Sequence, residues 1–237
     1  MNQTDSYRTD LPELAADAAP LEILRAALSA VDGPVALASS FSVEDIVLID
    51  LTRQLEQSIE VFALDTGRLN EETYEVAEAV SQRYRIAINW YFPQREAVEK
   101  LEREEGLFSF RESLDKRHAC CHIRKVEPLQ RALQGLAGWI TGQRREQSQT
   151  RNTLKALEID QANGGILKIN PLVNWSEEQV WAYAKEQRLP TNRLHAMGYP
   201  SIGCAPCTRA VQPGEHSRSG RWWWEHPEHK ECGLHRK

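Results

Sequence analysis

Short apolar runs alternate with longer stretches of helical period, which predicts an α/β chain. Its sheet should be mostly parallel and doubly wound, followed by an irregular C-terminal tail. Three observations carry this prediction. Five apolar runs of strand length recur between segments with helical spacing. Polar turns follow the first, second and fourth of those runs. Past Leu189 the alternation stops, and the chain becomes rich in Gly, Pro, His, Arg and Trp.

Taken in order, residues 1–19 read as a mobile N-terminal arm, 20–200 as a nucleotide-binding α/β domain, and 201–237 as a ligand loop and tail. Leu21, Leu24 and Leu28 give Pro20–Val31 a helical stripe, which Asp32-Gly33-Pro34 breaks. Val35–Ala38 is a short buried-strand run, and Ser42 with Asp45 resembles a capping box for a helix to about Leu55. Ile59–Leu64 is the second strand, Asn70–Arg85 a helix, Ile86–Phe92 the third strand and Glu96–Glu105 a helix. Arg117–Leu133 reads as mostly helical, with Pro128 able to begin a new segment. Gly138–Thr141 and Ile166–Leu172 are the fourth and fifth strands, and Ser176 with Gln179 caps a helix to Gln187. In such sheets the ligand lies beyond the C-terminal strand ends, where Ser39–Ser42, Asp65–Arg68 and Thr141–Arg145 fall.

A net charge of −5 argues against a general nucleic-acid binder. No apolar run approaches the roughly 20 residues of a membrane span, and the polar start lacks a signal-peptide core, so a cytoplasmic protein is expected. Stable disulfides are disfavoured there, so the five cysteines point to metal binding or catalysis.

Four of those cysteines form two pairs, Cys120-Cys121 and Cys204-Ala205-Pro206-Cys207. Two pairs suggest a four-thiolate site. Adjacent cysteines suit a tetrahedral zinc knuckle poorly but can ligate separate irons of an iron–sulfur cluster. The alternatives are two unrelated buried thiol pairs, or a redox disulfide at Cys204–Cys207. Cys232 is left over, between Lys230 and His235. Nearby cations favour its thiolate, although a lone tail cysteine can equally be idle. Arg124-Lys125, Arg144-Arg145, Arg218 and Arg221 are candidate anion binders, and each is also compatible with a solvated face. The Ser39–Ser42 turn is able to hold an oxyanion at a helix start, or only to cap the helix. Gly214 and Gly220 would let the tail open and close as a lid.

Several segments together resemble the adenylylsulfate and phosphoadenylylsulfate reductases, from about residue 33 to the C-terminus. They are Ser39-Ser40-Phe41-Ser42-Val43-Glu44-Asp45, Leu64-Asp65-Thr66-Gly67-Arg68, Cys120-Cys121-x-x-Arg124-Lys125, Thr141-Gly142-Gln143-Arg144-Arg145, Cys204-x-x-Cys207, Gly220-Arg221-Trp222-Trp223-Trp224-Glu225 and Glu231-Cys232-Gly233-Leu234-His235. The resemblance implies an adenine-nucleotide alpha-hydrolase-like fold with a modified pyrophosphatase loop at Ser39–Ser42. It implies a [4Fe-4S] cluster on Cys120, Cys121, Cys204 and Cys207, with a structural and electrostatic role. It implies nucleophilic attack by Cys232 on adenosine 5'-phosphosulfate and release of sulfite by thioredoxin or glutaredoxin, in assimilatory sulfate reduction. The cluster cysteines favour this substrate over the 3'-phosphorylated nucleotide, whose reduction, alone or alongside, is the same-fold alternative. Implied substrate contacts are Ser39, Leu64, Asp65, Thr66 and Gly67 for the adenosine, and Arg124, Lys125, Gly142, Arg144, Arg151, Arg218, Arg221 and His235 elsewhere. A homo-oligomer is compatible with this reading. Arg117 departs from the pattern, because some relatives carry His three residues before the cysteine pair, as His118 nearly does here. An amide-forming or thiolating ligase would need an intact Ser-Gly-Gly-x-Asp-Ser loop, which Ser39–Asp45 does not supply. A non-catalytic metal module is the remaining rival.

Overall fold

The computed structural model describes residues 11–148, 151–226 and Leu234. Strands β1 (Val35–Ser39), β2 (Glu60–Leu64), β3 (Ile88–Tyr91), β4 (Gly138–Ile140), β5 (Leu157–Asp160) and β6 (Ile166–Ile169) form one sheet in the order β3-β2-β1-β4-β6-β5. All neighbours are parallel except β5 and β6. The antiparallel edge strand β5 has no counterpart in the sequence reading. Its Leu157-Glu158-Ile159-Asp160 alternates only briefly, and pairing with β6 supplies what periodicity does not. The expected fifth strand ends sooner, at Ile169.

The sheet sorts its side chains by the period of two. Val35 and Leu37 face a core with Ile23, Leu24, Ile46, Ile49, Val76 and Val180. These come from helices α1 (Pro20–Ala30), α2 (Val43–Thr52), α3 (Glu71–Tyr84) and α7 (Glu177–Glu186). Ala36, Phe62, Trp139 and Ile166 face a smaller core with Leu129, Ala132 and Leu133 of helix α6 (Glu127–Leu133). Both faces are thus covered, as a parallel sheet requires. Helix α4 (Arg95–Glu105) has no buried residues.

The two expected caps are present. The Ser42 hydroxyl accepts from the Asp45 N–H at 3.4 Å, and Ser176 exchanges hydrogen bonds with Gln179 at 2.8 and 3.2 Å. The expected helix over 117–133 is α5 (Leu114–Cys121), a π-helical turn at His122–Val126, and then α6. Of the N-terminal arm, residues 11–19 contain no helix before Pro20; Ala18 is buried, and Asn174 donates to the Ala16 carbonyl at 2.8 Å. Among the described residues, no helix is long and apolar enough to cross a membrane.

Candidate active site

Strand order reverses between β1 and β4, and the chain diverges there to leave a crevice at the strand ends. A cleft of about 320 Å³ opens at that point. The last residues of β1 and β2, Ser39 and Leu64, line it together with Thr66 of the turn after β2 and Gly142 and Arg144 of the turn after β4. Trp90 and Trp181 add aromatic wall that the sequence reading did not single out. Ordinary strand and helix patterning gave those rings no distinguishing signal.

Asp65 and Gly67 shape the second turn from behind. The Asp65 carboxylate accepts from the Gly67 N–H at 2.7 Å and from the Tyr74 hydroxyl at 2.9 Å. Gly67 adopts φ +68°, and a side chain there would press on the Arg124 guanidinium. At the fourth turn, the Arg144 guanidinium donates to Glu44 at 3.0 and 3.1 Å, and Gln147 donates to the same oxygen at 2.8 Å. Arg151 also lines the cleft and donates to Gln147.

The four paired cysteines, about eighty residues apart in sequence, come together. All four are buried and line one small cavity of about 20 Å³. Cys120, Cys121, Arg124 and Lys125 line this cavity together, the first two from the end of α5 and the last two from the π-helical turn that follows. The second pair is pinned from both sides. Ala205 N–H donates to Arg68 O at 2.8 Å, Asn70 to Gly203 O at 3.1 Å, and Trp222 N–H to Cys207 O at 3.1 Å.

Five cations, Arg68, Arg117, Arg124, Lys125 and Arg221, wall this cavity. Their field acts on the thiols. Burial pushes Cys204 up, but Lys125, the Thr66 hydroxyl at 3.3 Å, Arg221 and Arg124 together bring it below its ordinary value. Burial and the neighbouring Cys204 push Cys207 up to about 12. Burial also raises Cys120, against Arg68 and Arg124.

Four thiolates gathered around one cavity are a donor set that an iron–sulfur cluster can take. Among the described residues, no three His, Cys, Asp or Glu side chains converge as a single-ion site. The cationic wall suits an anionic thiolate cluster. In that wall the buried Arg124 Nε has no hydrogen-bond partner among the described residues.

Arg117 belongs to this wall. Its guanidinium, fully buried, donates to both Glu225 oxygens at 2.7 and 2.8 Å and lies 4.7 Å from the Trp222 ring centroid. The arginine at the divergent position therefore clamps the tail segment. Gly220 is likewise part of a fixed contact, because a side chain there would strike the Arg209 carbonyl. Of the two glycines expected to let the tail move, Gly220 is tied by the Arg209 N–H to Gly220 O bond at 3.0 Å and the Thr208–Arg221 bridge, whereas Gly214 adopts φ +86° with open space around it.

The cleft and the cysteine cavity share Lys125, Cys204, Arg221 and Trp222. Arg218 lines the cleft, and so does Leu234. Cys232 and His235 lie outside the described residues.

A crevice at the switch point of a mostly parallel sheet is where open α/β proteins take their ligands, and this chain is of that class. The fold resembles that of a Candida glabrata FMN adenylyltransferase, with a TM-score of 0.57 at 14% identity, covering 95% of this chain and 83% of that one. It resembles a phosphoadenylyl-sulfate reductase from Candida auris more closely, with a TM-score of 0.69 at 27% identity, covering 85% of this chain and 100% of that one. Residues 34–210 match the phosphoadenosine phosphosulfate reductase domain, and the chain belongs to that family. A relative from Burkholderia cepacia, an adenosine 5'-phosphosulfate reductase, is 51% identical over 94% of this chain and 89% of its own length.

Proposed function

We propose that this protein is an oxidoreductase that reduces adenosine 5'-phosphosulfate to sulfite and AMP in assimilatory sulfate reduction. The observation that carries this reading is the shared wall of the two cavities. Lys125 and Arg221 face both the nucleotide-sized cleft and the cysteine cavity. A phosphosulfate lying along the cleft would meet cations there, and developing negative charge is best stabilised by such fixed donors.

In this reading residues 20–200 bind the nucleotide, and 201–237 carry the cysteine loop and the catalytic tail of a cytoplasmic enzyme. Ser39, Leu64, Thr66 and Gly142 border the nucleoside, with Asp65 and Gly67 shaping its turn. Lys125, Arg218 and Arg221 hold the phosphosulfate, assisted by Arg124, Arg144, Arg151 and His235. The Cys232 thiolate attacks the sulfate sulfur. A sulfur–sulfur bond forms, the sulfur–oxygen bond to phosphate breaks, and AMP leaves with that electron pair. A thiolate of reduced thioredoxin or glutaredoxin then attacks the Cys232 sulfur and sulfite leaves with the sulfur–sulfur pair. The second thiol of that dithiol closes its disulfide and frees Cys232. The dithiol thus supplies both electrons. Cys120, Cys121, Cys204 and Cys207 would hold a [4Fe-4S] cluster, which when bound supplies negative charge and a rigid core beside the cations.

Anaerobically purified protein should contain about four irons per chain and release sulfite with reduced thioredoxin. Omitting thioredoxin should leave a sulfonate on Cys232, located by peptide mass spectrometry. Stoichiometric zinc without iron would end the cluster assignment. An adduct on Cys207, or none, would end the assigned chemistry. Reduction of the 3'-phosphorylated nucleotide is the second reading, favoured by the likeness to the Candida auris enzyme. The same assay run on that nucleotide distinguishes the two.

A further inference from the structure

The turn from β1 into α2 is where a nucleotide fold would ordinarily take phosphate, because a helix N-terminus offers N–H groups and a positive dipole end. In this protein the turn is already occupied by its own side chains. The Ser40 N–H and the Ser40 hydroxyl both donate to one Asp45 oxygen, at 2.6 and 2.8 Å. The Phe41 N–H donates to the Ser39 hydroxyl at 3.1 Å, and Phe41 closes the turn in the left-handed region at φ +58°. Asp45 is 5% exposed, so its carboxylate is enclosed within the turn rather than displayed to solvent.

Two neighbouring features hold it there. Gly142, at the end of β4, has no side chain, and one would collide with the Asp45 carboxylate. Glu44 puts a second buried carboxylate in the same first helical turn, and Arg144 pairs with that one. The α2 N-terminus thus faces two internal carboxylates, and among the described residues the guanidinium of Arg144 pairs with Glu44 and not with Asp45. Burial raises the Asp45 carboxyl to about 6, against the Ser40 hydrogen bonds and with the Glu44 charge adding; the two Ser40 donors converging on one oxygen suit the carboxylate form.

We infer that Asp45 acts as an internal anion that fills the phosphate-binding turn and sets specificity by excluding a polyphosphate from it. The inference rests on the reading of the cleft as an adenine-nucleotide site. It assigns the β1 turn to the nucleoside and leaves the anionic end of the ligand to the cation-walled end. A nucleoside triphosphate in the geometry usual for a phosphate-binding helix start would set its charge against Asp45. The nucleotide monophosphate product and the phosphosulfate substrate would not.

The test uses the full chain with its metal content intact, as wild type, Asp45→Asn and Asp45→Ser, each checked for cooperative thermal unfolding. Dissociation constants for AMP, ATP and inorganic pyrophosphate are measured by calorimetry, with sulfite release assayed on the same samples. Wild type should bind ATP at least about tenfold more weakly than AMP, and pyrophosphate not at all at millimolar concentration. Asp45→Ser opens the turn and should narrow the AMP-to-ATP ratio about tenfold or more and gain pyrophosphate binding. Asp45→Asn keeps the size and loses the charge, so its ratio should fall between the two. Wild type binding ATP as tightly as AMP overturns the inference on its own, whatever the variants do. An unchanged ratio in either folded variant overturns it too. Failure of the nucleotide reading shows separately, as wild type that neither binds AMP nor releases sulfite. The gain of pyrophosphate binding in Asp45→Ser remains decisive in that case.

Discussion

At the β1 end of the cleft the chain supplies its own negative charge, through Asp45 and Glu44 in the first turn of α2. At the cysteine end it supplies positive charge, through Arg68, Arg117, Arg124, Lys125 and Arg221. The β1 end is built at a turn beyond a strand C-terminus, whereas the cysteine end gathers its cations from the β2 turn, the helical segment around Cys120-Cys121 and the tail. The comparison teaches that the backbone of a nucleotide fold does not by itself decide where an anion goes. Side chains packed behind the turns decide it, by satisfying the donors of one turn and gathering cations elsewhere.

The contrast can first be broken at Arg117. It is fully buried and its partner Glu225 nearly so, whereas Lys116 next to it pairs with Glu105 and Glu112 at the surface. Arg117→Leu strands a buried carboxylate and should cost about 3–5 kcal/mol. Lys116→Ala should cost under about 1 kcal/mol. Urea unfolding of anaerobic protein measures both. Equal losses would mean that the tail clamp contributes nothing beyond an ordinary surface pair. Adding Glu225→Gln to Arg117→Leu should recover part of the loss.

The next test compares the two ends in catalysis. Lys125→Ala should lower kcat/KM for adenosine 5'-phosphosulfate about 10²–10³-fold, the scale of losing one preorganised charge donor. Ser39→Ala, at the self-satisfied turn, should lower it less than about tenfold, because its hydroxyl serves the Phe41 N–H. Similar losses at the two positions would erase the proposed division of the cleft.

The smallest effect sharpens the comparison. The cation-walled end serves the phosphosulfate, and a 3'-phosphate on the ribose would need a cationic partner of its own. Adenosine 5'-phosphosulfate should therefore show a kcat/KM about tenfold above its 3'-phosphorylated form, or about 1.4 kcal/mol. Steady-state rates with the same reduced thioredoxin decide this. Equal or reversed values would mean that the extra phosphate finds a cationic partner.

The sequence by itself determined the alternating α/β plan, both helix caps and the turns that line the cleft. Those features are local: a strand shows its period of two, a helix its period of 3.6, and a cap its serine. It also singled out the four cysteines, because paired thiols are rare and their adjacency is a chemical constraint. The tertiary structure alone decided the rest, because each remaining feature depends on contacts between distant segments. Edge strand β5 exists through pairing with β6. Arg117 reads in sequence as a divergent anion contact, yet a carboxylate 108 positions away makes it a clamp. Gly220 reads as a hinge, yet the Arg209 carbonyl packed on it makes it a fixed contact. Asp45 reads as part of a helix start, yet enclosure by Ser40 and Gly142 makes it the anion of its own turn. Residue type and spacing reveal which groups a segment can offer. Whether a buried charge meets a ligand or another side chain depends on what the rest of the chain packs against it.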